Sequence, residues 1–181
     1  MATANTFVQI GATVTVGSGG TATITFSSIP ATYTDLKLVM STRNLATSGG
    51  RDYTSIRFNG DSGANYSRKW VYNVDGTAGS GTGTGESALA VIVQNDSQST
   101  ANVFNNSEVY IPNYASANYK SASIDSVSEN NSSATYAVEL SASLWSSTSA
   151  ITSMVLYPAA GGGAGTFVEY STASLYGMLK Y

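Results

Sequence analysis

The side chains that could do chemistry are few in kind. Eleven Asp and Glu stand beside eight Lys and Arg, with no histidine and no cysteine. That removes thiol nucleophiles, thiolate and imidazole metal ligands, the Ser-His-Asp triad, and the side chain most used for proton transfer near neutral pH. Paired carboxylates can still hydrolyse glycosides without histidine. Asp35 opens an alternating run, Asp125 and Glu139 sit inside such runs, and Glu108 and Glu169 neighbour aromatics. No local context singles out one pair, so the sequence predicts no catalytic residue and no enzyme.

Glycines and oxygens are weighed the same way. Gly79 to Gly85 runs into Glu86-Ser87, where a phosphate loop needs Lys followed by Ser or Thr, and Glu86 also stands where a dinucleotide fingerprint needs a third small residue. Asp75 and Glu86 have the separation of the end ligands of a calcium loop. Thr77 and Gly79 fill the intermediate ligand positions, however, and Ser80 replaces the required glycine. Asn59, Asp61 and Asn65 offer oxygens for a weak cation site, although Asx residues in such a turn more commonly bond their own backbone. The Asn-Tyr pairs at 65–66, 113–114 and 118–119 have the chemistry of a sugar site, but arise easily in a chain this rich in both residues. The expectation is no cofactor and no bound metal.

One run points to contact rather than catalysis. In extended conformation Tyr66, Arg68, Trp70 and Tyr72 share one face, and Ser67, Lys69, Val71 and Asn73 the other. An Arg among aromatics suits cation–π stacking and an interface hot spot. Together with neighbouring basic residues, this gives Arg51, Arg57, Tyr66, Arg68, Lys69, Trp70 and Tyr72 as candidate partner contacts. Core burial competes for the aromatics, and Arg68 would then need a carboxylate or carbonyl partner.

The elements that must position these residues read as strands. Ala22, Ile24 and Phe26 alternate with threonines, and Leu36, Leu38 and Met40 with Asp35, Lys37 and Val39. Tyr136, Val138, Leu140, Ala142 and Leu144 alternate with Thr135, Ala137, Glu139, Ser141 and Ser143. Each pattern gives one buried face and one face toward water or a partner. Further strands are expected near 6–16, 52–58, 65–74, 88–94, 103–111, 119–127, 150–157 and 166–180. Turns are marked by Gly17-Ser18-Gly19-Gly20, Ile29-Pro30, Ser48-Gly49-Gly50, Asn59 to Gly63, Ile111-Pro112-Asn113 and Gly161-Gly162-Gly163. This spacing predicts an all-β fold: one antiparallel β-sandwich over 1–181, jelly-roll-like, with about 8–10 strands. Residues 1–16 form an N-terminal arm or edge strand. The low-complexity stretch 75–86 is expected to be a mobile, exposed Gly-rich loop, most simply a long hairpin connection.

Composition agrees with a single domain. The 181 residues are 42% hydrophobic but only 10% charged, against about a quarter in ordinary globular chains. Residues 1–34 carry no charged side chain, and a segment of that kind is expected to end up covered. Residues 35–69 hold six of the eight basic residues against three acids, and the rest of the chain is acidic. Such a dipole can orient a subunit on an acidic partner, but the basic density is too low for a nucleic-acid stripe. The longest apolar run, Ala88 to Val93, is far short of the roughly 20 residues of a bilayer span. No basic-then-apolar leader opens the chain, so a soluble protein without a secretory signal is expected.

Several strings resemble a family of virion structural proteins of tailed bacteriophages, notably of cyanophages and other aquatic phages. They are Phe26 to Leu38 (FSSIPATYTDLKL), Arg57 to Ser67 (RFNGDSGANYS), Glu108 to Tyr114 (EVYIPNY), Lys120 to Val127, Leu144 to Ser153, and the closing Leu175-Tyr176-Gly177. The likeness spans nearly the whole chain and is weakest at 76–85. It implies a non-enzymatic particle component with a jelly-roll-like sandwich. The expected function is a capsid decoration (cement) protein of the virion surface, a homotrimer on the major capsid protein. The alternative is a head or tail fibre domain that binds a host receptor or surface glycan. Neither nucleic acid nor membrane is an expected partner.

Overall fold

The computed structural model describes residues 6–131, 136–159 and 165–179, and among these every regular element is a β-strand. Residues 1–5 of the expected arm and the Gly161–Gly163 turn lie outside the described residues. In chain order the strands are β1 (Phe7–Gln9), β2 (Val14–Thr15), β3 (Ile24–Phe26), β4 (Asp35–Ser41), β5 (Arg51–Phe58), β6 (Tyr66–Val74), β7 (Thr77–Glu86), β8 (Leu89–Asn95), β9 (Asn106–Ile111), β10 (Lys120–Ser128), β11 (Ala137–Trp145), β12 (Met154–Pro158) and β13 (Thr172–Met178). Thirteen strands thus stand where 8–10 are expected. The surplus comes from 6–16, which splits into two short pieces, and from β7, which occupies the expected loop.

All strand pairing is antiparallel, in two sheets. The larger runs β1-β13-β4-β9-β10-β11-β6-β7 with β2 also on β13, and the smaller runs β3-β12-β5-β8. Four nested pairs make the frame: β5–β8 innermost, then β4–β9, β3–β12 and β1–β13, alternating between the sheets. Two hairpins are inserted into it. β6–β7 falls between β5 and β8, β10–β11 falls between β9 and β12, and β11 pairs with β6. Together they extend the larger sheet by four strands that end at the free edge β7. β1 forms the opposite edge, as expected of residues 1–16.

The frame follows the alternating pattern. β4 turns Leu36, Leu38 and Met40 inward, and they meet Ile24, Phe26, Ile56, Phe58, Val109, Ile111, Leu156 and Leu175 in one core. At one end Trp145 packs on Phe58 with ring centroids 5.5 Å apart, and stacks at 6.3 Å on Tyr66. Aromatic pairs at these distances add about 0.5–1.5 kcal/mol beyond burial. Asn59 and Gly60 close the turn after β5 with both φ positive, the type I′ geometry that Asn-Gly favours. The Asn59 Oδ1 then accepts from the Thr152 and Ser153 amides at 2.8 and 3.1 Å, tying this turn to the entry of β12.

The Gly-rich segment departs from expectation: it is a ten-residue strand, not a mobile loop. Asp75 and Gly76, at φ 50° and 82°, make a two-residue hairpin, and β7 pairs with β6 along its length. Gly79 lies opposite Tyr72, and Gly81 opposite Trp70. A Cβ on Gly79 would come within 2.6 Å of the Tyr72 ring, and one on Gly81 within 2.2 Å of the Trp70 ring. The alternating glycines therefore form a bare strip on which two aromatic rings lie, so the rings supply the cover that the strand's own side chains lack. Gly85, at φ 66°, is the extra residue of a bulge opposite Tyr66 and Ser67.

An inverted sheet face and a cleft in the added strands

β10 and β11 lie side by side with the same alternating burial, yet what they bury differs. β10 turns Ala122 and Ile124 inward and exposes Ser121, Ser123 and Asp125. β11 buries Ala137, Glu139, Ser141 and Ser143 and leaves Val138 and Leu140 at 53% and 56% exposed, with Ala142 exposed beside them. The buried face of β11 is thus the polar one. Trp145 sets this choice because it shares parity with Glu139: it is 2% exposed, and its Nε1 donates to Asp61 Oδ2 at 2.7 Å. A one-residue slip would bring the aliphatics inside and expel the tryptophan.

On β6 the same division holds. Tyr66, Arg68, Trp70 and Tyr72 do share the inner face, while Lys69 and Val71, the latter 56% exposed, lie outside against Leu140 and Ala142. The outer side of β6 and β11 is an aliphatic strip with Lys69 within it.

The seven candidate contact residues do not form one surface. Tyr66 belongs to the core: its hydroxyl accepts from the Phe58 amide at 3.1 Å and donates to the Asp61 carbonyl at 3.2 Å, and burial pushes the phenol up to about 12. At 1% exposed and stacked on Trp145, Tyr66 offers no surface to a partner in the free subunit, because the inner face of β6 runs into the core at its start. Arg68 is paired with Glu86 at 3.1 Å and lies over the Trp70 ring at 4.1 Å, which supplies the carboxylate its inward position requires. Arg57 projects from the smaller sheet, over Tyr157 at 4.9 Å, with its Nε donating to the Ser87 carbonyl at 3.1 Å. Lys69 is on the aliphatic strip. Arg51, Trp70 and Tyr72 come together in a cleft.

That cleft, about 520 Å³, lies between the start of β5 and the β6–β7 hairpin. Arg51 and Tyr53 form one wall; Trp70, Tyr72 and Thr77 form the other; Glu139 lines it from β11. The Glu139 side chain accepts from Ser141 Oγ at 2.8 Å. Burial pushes its carboxyl up to about 7, with Ser141, Arg68 and Arg51 pulling the other way. The Arg51 Nε is buried and makes no hydrogen bond. Two aromatics on a glycine floor, a proton-holding carboxyl and a guanidinium group line one cleft, a combination that can grip a small polar ligand. Two candidates escaped the sequence reading. Tyr53 carried no signal, and Glu139 was weighed only as half of a carboxylate pair.

Other expected features resolve as structure. The basic residues of 35–69 are dispersed over several faces: Lys37 pairs with Glu108 at 2.7 Å on the outer face of the larger sheet, while Arg43 is buried and donates to the carbonyls of Ser99, Thr100 and Val103. No continuous basic patch forms from them. Asp61 spends its oxygens on the Gly63 amide, Asn65 and Trp145, and these bonds hold its carboxyl below the ordinary range. The Asn59–Asn65 turn thus bonds itself. Tyr114 is buried with its hydroxyl donating to the Pro30 carbonyl, so that Asn-Tyr pair is structural too. Among the five acids weighed for hydrolysis, only Asp125 and Glu108 stand directly opposite each other, and they do so on an exposed sheet face. Among the described residues no group of three or more acids could hold a metal ion, and no helix is long and apolar enough to cross a membrane.

No protein-family model, no curated protein and no solved structure matches this chain.

Proposed function

We propose that this protein is a virion structural component, a capsid decoration protein that binds and stabilises the shell of the major capsid protein, assembling as a homotrimer and acting by adhesion alone. The observation that carries the reading is the aliphatic outer face of β6 and β11. A free subunit gains nothing by exposing Val138 and Leu140 while burying Glu139, whereas a subunit seated against a neighbour covers them. Full burial of such a side chain contributes about 1.5–3 kcal/mol. Increments of that size, repeated over a shell, resist internal pressure.

Two further features support the reading. The edge strand β7 carries no charge before Glu86 and no proline, the usual devices that discourage strand addition, so it suits a subunit whose edge is covered on assembly. The nested strand pairs, alternating between two sheets, support a jelly-roll reading, an architecture used in viral capsids. It is also the architecture that the bacteriophage motifs imply.

Copy number in purified particles tests the proposal. Quantitative mass spectrometry is expected to find hundreds of copies per particle, a number that Leu140→Lys reduces sharply without unfolding the isolated chain. A handful of copies per particle means a fibre location instead and overturns the decoration role.

A further inference from the structure

We infer that the cleft between the start of β5 and the β6–β7 hairpin is a binding site for a neutral saccharide, with Tyr72 as its stacking platform and Arg51 and Glu139 as the pair that holds its hydroxyls. The inference is independent of the shell role, because the cleft opens on the opposite side of the β6–β11 sheet from the aliphatic strip.

Shape comes first. About 520 Å³ lies within the range of small-molecule sites, roughly 300–1,000 Å³. The Tyr72 ring is spread over Gly79, so close that a Cβ there would meet it at 2.5–3.0 Å. A ring held on a glycine strand turns its other face away from that strand, toward the cleft it lines. Trp70 rests on Gly81 in the same way but carries the Arg68 guanidinium at 4.1 Å, which leaves Tyr72 as the open platform. Such a surface matches the apolar C–H face of a pyranose, and the glycine repeat positions it.

The polar groups select the class of ligand. Arg51 lines the cleft and brings a guanidinium with several N–H donors to its wall. Glu139 lies across the same cleft and offers carboxyl oxygens. A donor and an acceptor lining one cleft fit the hydroxyls of one ring, each of which both gives and takes a hydrogen bond. Charge argues against ionic ligands. A cation would meet the Arg51 guanidinium, and an anion would meet Asp75 and, once ionised, Glu139. An uncharged polyhydroxylated ring meets neither penalty.

Saturation-transfer NMR on the intact chain, with the methyl glycosides of glucose, galactose, mannose and N-acetylglucosamine as probes, tests the site. At least one is expected to receive saturation at its ring C–H protons and to change the tryptophan fluorescence, since Trp145 is sealed in the core and Trp70 lines the cleft. Tyr72→Leu, which keeps bulk but removes the π face, is expected to abolish the transfer. Arg51→Gln is expected to weaken binding by about tenfold or more. Leu140→Ala, on the opposite face, is expected to leave it unchanged, and circular dichroism and melting of each variant separate lost binding from lost fold. Absence of transfer to all four glycosides, or binding unaltered in folded Tyr72→Leu and Arg51→Gln, overturns the proposal.

Discussion

The eight-strand frame and the added strands β6 and β11 are built by opposite rules. In the frame, the inward positions of β4, β9 and β13 are Leu36, Leu38, Met40, Val109, Ile111, Ala173 and Leu175, all at or below about 2% exposure, with Ser107 and Gly177 as the other two. In the added strands β6 and β11, inward positions hold Glu139, Ser141, Ser143, Arg68, Trp70 and Tyr72, while Val71, Val138 and Leu140 face out. The difference teaches that the frame folds on its own hydrophobic pattern, whereas the extension takes its register from the frame. Trp145 is the link, since it belongs to β11 yet packs in the frame's core on Phe58.

Five substitutions break or sharpen this contrast. The largest effect belongs to the frame: Phe58→Ala is expected to cost about 3–5 kcal/mol in urea denaturation, because it opens a cavity beneath Tyr66 and Trp145. A loss below about 1 kcal/mol would show that the frame core is not the source of stability. Next comes the floor of the extension. Gly81→Val places a Cβ 2.2 Å from the Trp70 ring, and is expected to cost about 1–3 kcal/mol and to shift tryptophan emission. Thr82→Val, on the other face of the same strand, is expected to stay within about 0.5 kcal/mol.

Glu139 gives an effect of intermediate size with a defined sign. Its carboxyl titrates near 4.5 when unfolded and near 7 in the fold, so between those values the native state holds a proton that the unfolded chain has released. Stability therefore falls as pH rises from about 4.5 to about 7 and is level above, a change on the order of 3 kcal/mol. Glu139→Gln is expected to remove this slope and to raise the melting temperature at pH 8. An unaltered slope would place the titrating group elsewhere. The smallest effect is expected of Leu140→Ala, under about 0.5 kcal/mol in the isolated chain, since its side chain is already half in water. A frame-like loss there would mean that the outer face is covered even in the free protein.

Much of the frame was legible because its residues agree at every level. Leu36, Leu38 and Met40 alternate with polar neighbours, and the strand they predict is the strand that forms. Asn59-Gly60 announced its own turn. The expected arm at 6–16 is an edge strand, broken into two by Gly11, which sits at φ 71°. The site was less legible. Arg68, Trp70 and Tyr72 were singled out by parity alone, which holds, but parity says nothing about which face turns inward. Tyr66 shares their face but lies at the end of β6 that packs on Phe58 and Trp145, so it belongs to the core and the others to the cleft side. The Asp75-Gly76 dipeptide was the available sign that a hairpin, and hence a strand, follows.

From residue types alone came the all-β class, the positions of most strands, the turn chemistry, and the lack of histidine and cysteine. These are local properties, fixed by backbone preference and by composition, and no distant contact alters them. The tertiary structure alone decided that Val138 and Leu140 look outward, that a glycine repeat is a strand floored for aromatic rings, and that Arg51 and Glu139 meet across a cleft. Each of these depends on register between strands far apart in the chain, and in an antiparallel sheet a single anchored side chain such as Trp145 fixes the facing of every residue on its strand.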